Sequence, residues 1–139
     1  MILMDTMTDS IRELTILQPD DWHIHLRDGQ ALATTVAHAA TSFNRVICMP
    51  NLVPPVKTAT DAQAYRTRLL QHLQACGIDE ARKATFDPRM TLYMTDHTSV
   101  QDIEEAVRSG IVQAVKLYPA GATTNSADGV TNINALADV

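Results

Sequence analysis

Two spacings of apolar residues alternate along this chain, and turn-forming residues mark each change from one to the other. Period-two alternation or a short apolar run predicts strands over 22–26, 45–49, 91–94 and 112–118. Helical spacing fills the intervals, over 31–40, between Thr60 and Gly77, and between Thr98 and Gly110. Strands that alternate with helices predict an α/β fold with parallel strands and right-handed crossovers.

The second and third helices carry their own start and stop signals. Two pairs are spaced as capping boxes, Thr60 with Gln63 and Thr98 with Gln101. Gly77 and Gly110 then stand where a left-handed residue commonly closes a helix. We expect 14–17 to form an edge strand within an N-terminal extension (1–17), 78–89 a polar connection, and 119–131 a loop rich in Gly, Thr, Asn and Ser.

The length limits how much of a larger fold can be present. A chain of 139 residues is one domain at most, and a closed eight-stranded (β/α)₈ barrel needs about 250. A helical pattern that begins near Asn132 supplies barely one turn before Val139, which is not stable alone. We therefore expect the chain to stop inside an element and to be a fragment, with a frayed native tail as the alternative.

Charge and composition exclude several classes of function. The chain has 11 basic and 16 acidic residues, a formal charge of −5, and no cluster of Lys and Arg that would favour nucleic acid. It has neither an apolar run of membrane-spanning length nor a signal-peptide pattern, so we expect a cytoplasmic protein. Cys48 and Cys76 lie far apart without a CxxC motif, which favours reduced, buried thiols.

His23 and His25 are two residues apart on the first predicted strand. Their imidazoles should therefore project from one face, where two ring nitrogens could bind one metal ion. A solvated polar face is the competing interpretation of this pair. Both faces of a parallel sheet are normally covered, however, and this favours a metal.

Arg27 and Asn51 follow the first and second predicted strands, at the carboxyl ends where α/β proteins place ligands. A guanidinium there can hold a carboxylate through two parallel hydrogen bonds. The prolines around Asn51 would stiffen the backbone that carries its amide. A surface ion pair with Asp28 for Arg27, and a turn-forming role for Asn51, are the alternatives.

Lys116 lies inside the apolar fourth strand, just before its carboxyl end. A buried ammonium usually lowers its pKa, finds an anion or is modified, and a neutral amine can add carbon dioxide to give a carbamate. Such a carbamate would supply two oxygens suited to bridging two cations. A lysine whose stem is buried and whose ammonium reaches water is the alternative.

Three long segments of this chain are unusual in composition and in order: DDWHIHLRDG (20–29), MPNLVPPV (49–56) and VKLYPAGATTNSADGVT (115–131). They resemble the single-function, bacterial-type dihydroorotases of pyrimidine biosynthesis, within the amidohydrolase superfamily. The resemblance runs from about Gln18 to the last residue. It implies the N-terminal half of a metal-dependent-hydrolase (β/α)₈ barrel, with about four βα units, and the reversible cyclisation of N-carbamoyl-L-aspartate to dihydroorotate.

The resemblance also implies roles for individual residues. His23 and His25 would bind one zinc ion, and Lys116, carboxylated by CO₂, would bridge two. His25, Arg27 and Asn51 would contact the substrate, and a flexible loop bearing Thr123 and Thr124 would close over it. The small-molecule substrate would be the partner, and the full-length relatives form homodimers.

The remaining parts of such a site cannot be placed in this sequence. The resemblance implies two further histidines on later strands and a general-base aspartate beyond Val139, and no motif match supports His38, His72 or His97 in those roles. We therefore expect no turnover from the 139-residue chain alone. Two alternatives remain. One is a hydantoinase or dihydropyrimidinase, although Arg27 and Asn51 weigh against it because its substrates lack the ring carboxylate that this pair would bind. The other is a non-catalytic half-barrel that binds a partner.

Overall fold

The computed structural model describes residues 13–137 and 139, and it contains one sheet of four parallel strands. The strands follow chain order across the sheet: β1 (Asp21–Ile24), β2 (Arg45–Cys48), β3 (Asp87–Met94) and β4 (Val112–Leu117). The helices are α1 (Gln30–Ser42), α2 (Ala59–Ala75), α3 (Glu80–Thr85) and α4 (Val100–Ser109). The predicted α/β alternation and parallel strand direction are confirmed.

The hydrophobic core lies between the strands and the helices. Leu32 and Val36 of α1 and Leu69 and Leu73 of α2 are fully buried there. Burial of each such side chain stabilises the fold by about 1.5–3 kcal/mol. Strand residues alternate in the same sense, because Ile24 and Val115 pack on this core while His23 and Lys116 do not. Trp22 departs from the expected pattern: it is half-exposed, with the Arg45 guanidinium 5.2 Å from its ring centroid.

Both helices begin with a capping box, as predicted, but other residues form it. The caps are Thr58 with Asp61 for α2 and Ser99 with Asp102 for α4. Aspartate has the shorter side chain, yet its carboxylate reaches back to the cap amide, at 3.0 Å from Thr58 and 2.8 Å from Ser99. Each helix therefore begins beside the expected residue rather than at it.

One of the two predicted glycine caps is confirmed. Gly110 ends α4 in the left-handed conformation, with φ 69°. The prediction for Gly77 is wrong, because α2 ends at Ala75 and its cap residue Cys76 is extended.

The prediction of a polar connection over 78–89 is also wrong. This segment contains α3, which Asp79 caps by accepting from the amides of Ala81 and Arg82, and the first residues of β3. Strand pairing extends β3 back to Asp87, since Pro88 and Arg89 lie opposite Val46 and Ile47 of β2. Propensity alone could not show this, because a proline argues against a central strand.

The edge strand expected over 14–17 is not present in the structure. Residues 13–20 form no strand, and the side chains of Leu14, Ile16 and Leu17 are exposed. The rest of the proposed extension, residues 1–12, lies outside the described residues. Residues 119–131 form the expected loop, and a single 3₁₀ turn, Ile133–Leu136, follows it.

Candidate metal and substrate site

A cleft of about 410 Å³ lies beyond the carboxyl ends of the strands. Every site residue assigned from the sequence lines it: His23, His25, Arg27, Asn51, Lys116, Thr123 and Thr124, together with Leu117, Tyr118 and Pro119. The outermost strands β1 and β4 both contribute, as do the loops that follow β1, β2 and β4. The fold thus brings the predicted residues together from distant parts of the chain.

The imidazole rings of the two histidines lie next to each other on the wall of the cleft. Their Nε2 atoms are 3.3 Å apart, and His25 Nδ1 lies 2.9 Å from Asn51 Oδ1. The amide nitrogen of Asn51 donates to the carbonyl of Thr124 at 3.0 Å, which fixes the amide orientation, since that carbonyl can only accept. Nδ1 of His25 must then carry the proton, and its Nε2 offers a lone pair towards His23.

Burial and nearby charges both favour the neutral form of His25. Partial burial lowers the pKa of His25 below its ordinary value; the hydrogen bond to Asn51 opposes this shift, and the nearby charges of Arg27, His23 and Lys116 add to it. No acidic side chain from the described part of the chain lines the cleft. An overall acidic protein therefore has a locally basic cleft, which suits an anionic ligand.

Lys116 is partly buried and has no anionic partner among residues 13–137 and 139. Its Nζ makes no hydrogen bond or ion pair there and lies 5.5 Å from the ring centroid of Tyr118. The hydroxyl of Tyr118 is itself buried without a hydrogen-bond partner in that part of the chain, and its ring stacks on Tyr93 at 5.1 Å. This end of the cleft thus holds an amine that no described residue neutralises.

Arg27 reaches the cleft by a route that alternation along β1 does not predict. The strand ends at Ile24, and Arg27 adopts a left-handed backbone with φ 63°. This conformation costs a residue other than glycine about 1–3 kcal/mol, so neighbouring contacts must hold it. One of them is the hydroxyl of Tyr65, which donates to the Arg27 carbonyl at 2.7 Å. Sequence analysis did not single out Tyr65.

The loop 119–131 is fixed to the cleft at its base and near its tip. At the base, Val130 donates to the carbonyl of Tyr118 at 2.8 Å, and a side chain at Gly129 would collide with that same carbonyl oxygen. Near the tip, Asn125 donates to the backbone carbonyl of Asn51 at 3.0 Å. Asn51 therefore touches the loop through both its backbone and its side chain.

The remaining histidines and the buried cysteine lie outside this cleft. His38, His72 and His97 do not line this cleft. Cys48 is buried and reduced, and burial raises its pKa far above the ordinary value. Among residues 13–137 and 139, no three His, Cys, Asp or Glu side chains cluster as metal ligands, so the histidine pair would need Lys116 or a further group.

The general-base aspartate expected beyond Val139 is not assigned to any described residue. Val139 itself lies outside the cleft: it is 40% exposed, and its amide donates to the carbonyl of Leu136 at 3.1 Å. Asp28 directly follows Arg27, yet its carboxylate is bound by Arg68 and does not line the cleft. The position of a general base after Val139 therefore stays a prediction.

The fold and the site together define a class of protein. The model of the amidohydrolase family matches residues 19–139, and the chain belongs to that family. Its four-stranded sheet and flanking helices are the N-terminal part of the amidohydrolase barrel fold.

Individual relatives narrow the resemblance. The chain is 58% identical over 121 residues to a dihydroorotase of Pseudomonas aeruginosa, and 57% identical over 120 residues to one of Acinetobacter baylyi. These matches cover 87% and 86% of this chain. The chain spans about a third of the length of these curated relatives, 33% in each case.

Solved structures agree with this comparison. A crystal structure of dihydroorotase from Campylobacter jejuni matches with a TM-score of 0.69 and 36% identity, over 83% of this chain and 31% of that one. The dihydroorotase of Saccharomyces cerevisiae in complex with 5-fluoroorotic acid matches with a TM-score of 0.67 and 29% identity, over 81% and 28%. The resemblance inferred from the three segments is confirmed.

In the described part of the chain, no helix has the length and apolar character needed to span a membrane.

Proposed function

We propose that this chain supplies the first metal ligands and the substrate-carboxylate clamp of a dihydroorotase. The reaction is the zinc-dependent, reversible cyclisation of N-carbamoyl-L-aspartate to dihydroorotate. The observation that carries the proposal is the single basic cleft in which His23, His25 and Lys116 meet Arg27 and Asn51. The similarity to proteins named dihydroorotase supports the same conclusion.

The donor set fits zinc. Two nitrogen ligands at about 2.0–2.1 Å from a tetrahedral zinc ion lie about 3.3 Å apart, and the Nε2 atoms of His23 and His25 are 3.3 Å apart. The Asn51 amide holds His25 in the tautomer that leaves Nε2 free, as partners behind a metal ligand commonly do. Carboxylation of Lys116 by CO₂ would supply an anionic ligand shared between this zinc ion and a second one. Zinc in such a site supplies Lewis acidity and a nucleophilic water at neutral pH.

The substrate clamp centres on Arg27. Its guanidinium lines the cleft and has no partner among the described residues, so it is free to bind a carboxylate through two hydrogen bonds. Asn51 Nδ2 uses one N–H on Thr124 and keeps the second for the same carboxylate. Thr123 and Thr124 line the same cleft and would donate to the substrate from the loop. A neutral cyclic amide, as in hydantoinase-type substrates, would leave Arg27 unpaired.

These residues act by positioning and charge. Arg27 and Asn51 fix the ring by its carboxylate, so that the scissile amide lies towards the histidines and Lys116. The loop 119–131 excludes water from the bound ring. Proton transfer belongs to the general base that we place after Val139. We further propose that the complete enzyme is a homodimer.

Metal binding by the full chain tests the first part of the proposal. We expect His23→Ala and His25→Ala to abolish zinc binding in titration calorimetry, and the matched control His38→Ala to leave it unchanged. Intact-mass measurement under native conditions should show one added CO₂ on the wild type and none on Lys116→Arg. Zinc binding that survives loss of both histidines would contradict the assignment.

Activity can be tested without assuming how much of the enzyme this chain represents. Residues 19–139 can replace the matching third of the Pseudomonas aeruginosa dihydroorotase, and the chimera can be assayed for cyclisation of carbamoyl-aspartate. We expect the chimera to turn over carbamoyl-aspartate. Each of His23→Ala, Lys116→Ala and Arg27→Ala should abolish this activity, and His38→Ala should leave it unchanged. A folded, zinc-loaded but inactive chimera would instead favour the non-catalytic half-barrel.

A further inference from the structure

The turn that carries Arg27 is held from behind by two side chains of α2, Tyr65 and Arg68, which we name the α2 clasp. Tyr65 is 1% exposed, and its hydroxyl donates to the Arg27 carbonyl at 2.7 Å. Arg68 binds the carboxylate of Asp28 with Nε 3.1 Å from each oxygen and Nη2 2.6 Å from Oδ2. Neither residue of the clasp lines the cleft.

The two members of the clasp support each other and grip consecutive residues. The guanidinium carbon of Arg68 lies 5.7 Å from the ring centroid of Tyr65, within the range of a cation–π contact. Burial raises the pKa of Tyr65, so its hydroxyl stays protonated and remains a donor. Burial alone would raise the pKa of Asp28, but the hydrogen bonds from Arg68 and from the Gly29 amide outweigh it and hold that pKa below its usual value.

The geometry of Arg27 explains why such a clasp is needed. Its left-handed backbone is unfavourable for a residue with a side chain. Its side chain meets no partner among residues 13–137 and 139, so nothing described on the cleft side fixes where the guanidinium points. The turn is held from the backbone side, by Tyr65 on its carbonyl and by Arg68 on the next residue.

We infer that Tyr65 and Arg68 are positioning residues that aim the Arg27 guanidinium at the substrate carboxylate, and thereby determine selectivity for a ring that carries one. This inference rests on the proposed function, which places the carboxylate on Arg27. It predicts that damage to the clasp weakens ligands with a ring carboxylate specifically, although neither residue touches the ligand.

A matched pair of ligands isolates the effect. 5-Fluoroorotate carries the ring carboxylate, whereas 5-fluorouracil has the same ring without it. Their dissociation constants can be measured by titration calorimetry on the zinc-loaded full chain, in the wild type, Tyr65→Phe and Arg68→Lys. Arg66→Lys is the control, because Arg66 lies on the same helix but binds the Pro88 carbonyl and Asp87, away from the cleft.

We expect the wild type and Arg66→Lys to prefer 5-fluoroorotate, and Tyr65→Phe and Arg68→Lys to lose about tenfold of that preference. Affinity for zinc and for 5-fluorouracil should stay as in the wild type. If the wild type prefers 5-fluoroorotate and both clasp variants keep that preference, the clasp inference is wrong and the proposed function stands. If the variants weaken both ligands equally, the role is merely structural and the inference again fails.

If the wild type binds 5-fluoroorotate and 5-fluorouracil equally well, Arg27 does not bind the ring carboxylate, and both that part of the proposed function and the clasp inference are wrong. Thermal unfolding of each variant shows whether it is folded under the assay conditions. Arg68→Lys keeps the charge and most of the stem, so it carries the test if Tyr65→Phe is unstable. Loss of preference in a folded Arg68→Lys supports the inference, and retention contradicts it.

Discussion

Asn51 can be altered in two ways, only one of which should weaken zinc binding. It is 4% exposed, and its side chain makes two bonds, accepting from His25 Nδ1 at 2.9 Å and donating to the Thr124 carbonyl at 3.0 Å. Asn51→Leu keeps the approximate shape and removes both bonds. Asn51→Asp keeps an acceptor for His25 and loses only the donor.

The expected sizes follow from these contacts. Loss of the partner behind a metal-binding histidine typically costs 10–100-fold in metal affinity, about 1.4–2.7 kcal/mol, and we expect this for Asn51→Leu. In Asn51→Asp a carboxylate accepts from Nδ1 and makes the imidazole a stronger ligand, so zinc should bind at least as tightly as in the wild type. Both variants leave the Thr124 carbonyl without its donor, which should loosen the loop equally in the two proteins.

Two measurements separate these effects. Zinc affinity by competition with a chelator reports on His25, and amide hydrogen exchange over 119–131 reports on the loop. Asn44→Leu and Asn44→Asp are the controls, because Asn44 does not line the cleft. The reasoning is refuted if Asn51→Leu binds zinc like the wild type, or if Asn51→Asp weakens zinc as much as Asn51→Leu does.

Three further predictions concern stability and thiol reactivity. Thr58→Ala should lower the free energy of unfolding in urea by about 1 kcal/mol, because α2 loses its cap. Thr60→Ala should change that free energy little. Equal losses in the two variants would mean that Thr60, the residue expected from the sequence, also caps the helix. Gly129→Ala should cost about 1–3 kcal/mol, because its Cβ would collide with the carbonyl oxygen just after β4, whereas Gly77→Ala meets open space and should stabilise by about 0.4–1 kcal/mol. A Gly129→Ala protein as stable as the wild type would show that the loop base yields. Cys48 should resist a thiol reagent until the chain unfolds, since burial keeps it protonated, and its rapid labelling in the native state would contradict the buried core position.

Periodicity and motif spacing predicted most of the fold, because the strands and helices here follow the usual spacings of buried residues. The exact helix starts were not predictable, since Thr58 and Thr60 each lie three residues before a side chain that could complete a cap. In the structure the cap is Thr58 with Asp61, and the pair Thr60 and Gln63 is not used. The same limit applies to β3, where pairing with β2 overrides the strand-breaking tendency of Pro88.

The candidate site was predictable in its members but not in its connections. His23, His25 and Lys116 were identified from strand position and from the resemblance, and the structure places them in one cleft. The hydrogen bond from His25 to Asn51 spans 26 residues, and the one from Tyr65 to Arg27 spans 38. Contacts this distant leave no local spacing in a sequence, so these hydrogen bonds could be found only in the folded chain.

The site has a consequence for the order of events during synthesis. His23 and Lys116 come from the first and last strands of the sheet, and each strand pairs in parallel with its neighbour in the chain. Parallel pairing requires distant segments to meet, which makes folding slow and leaves early intermediates prone to association. A growing chain that has released only β1 to β3 holds the histidine pair but not Lys116. The three ligands that we propose for this cleft therefore come together only after β4 has docked, and metal retention would report that this last strand is in place.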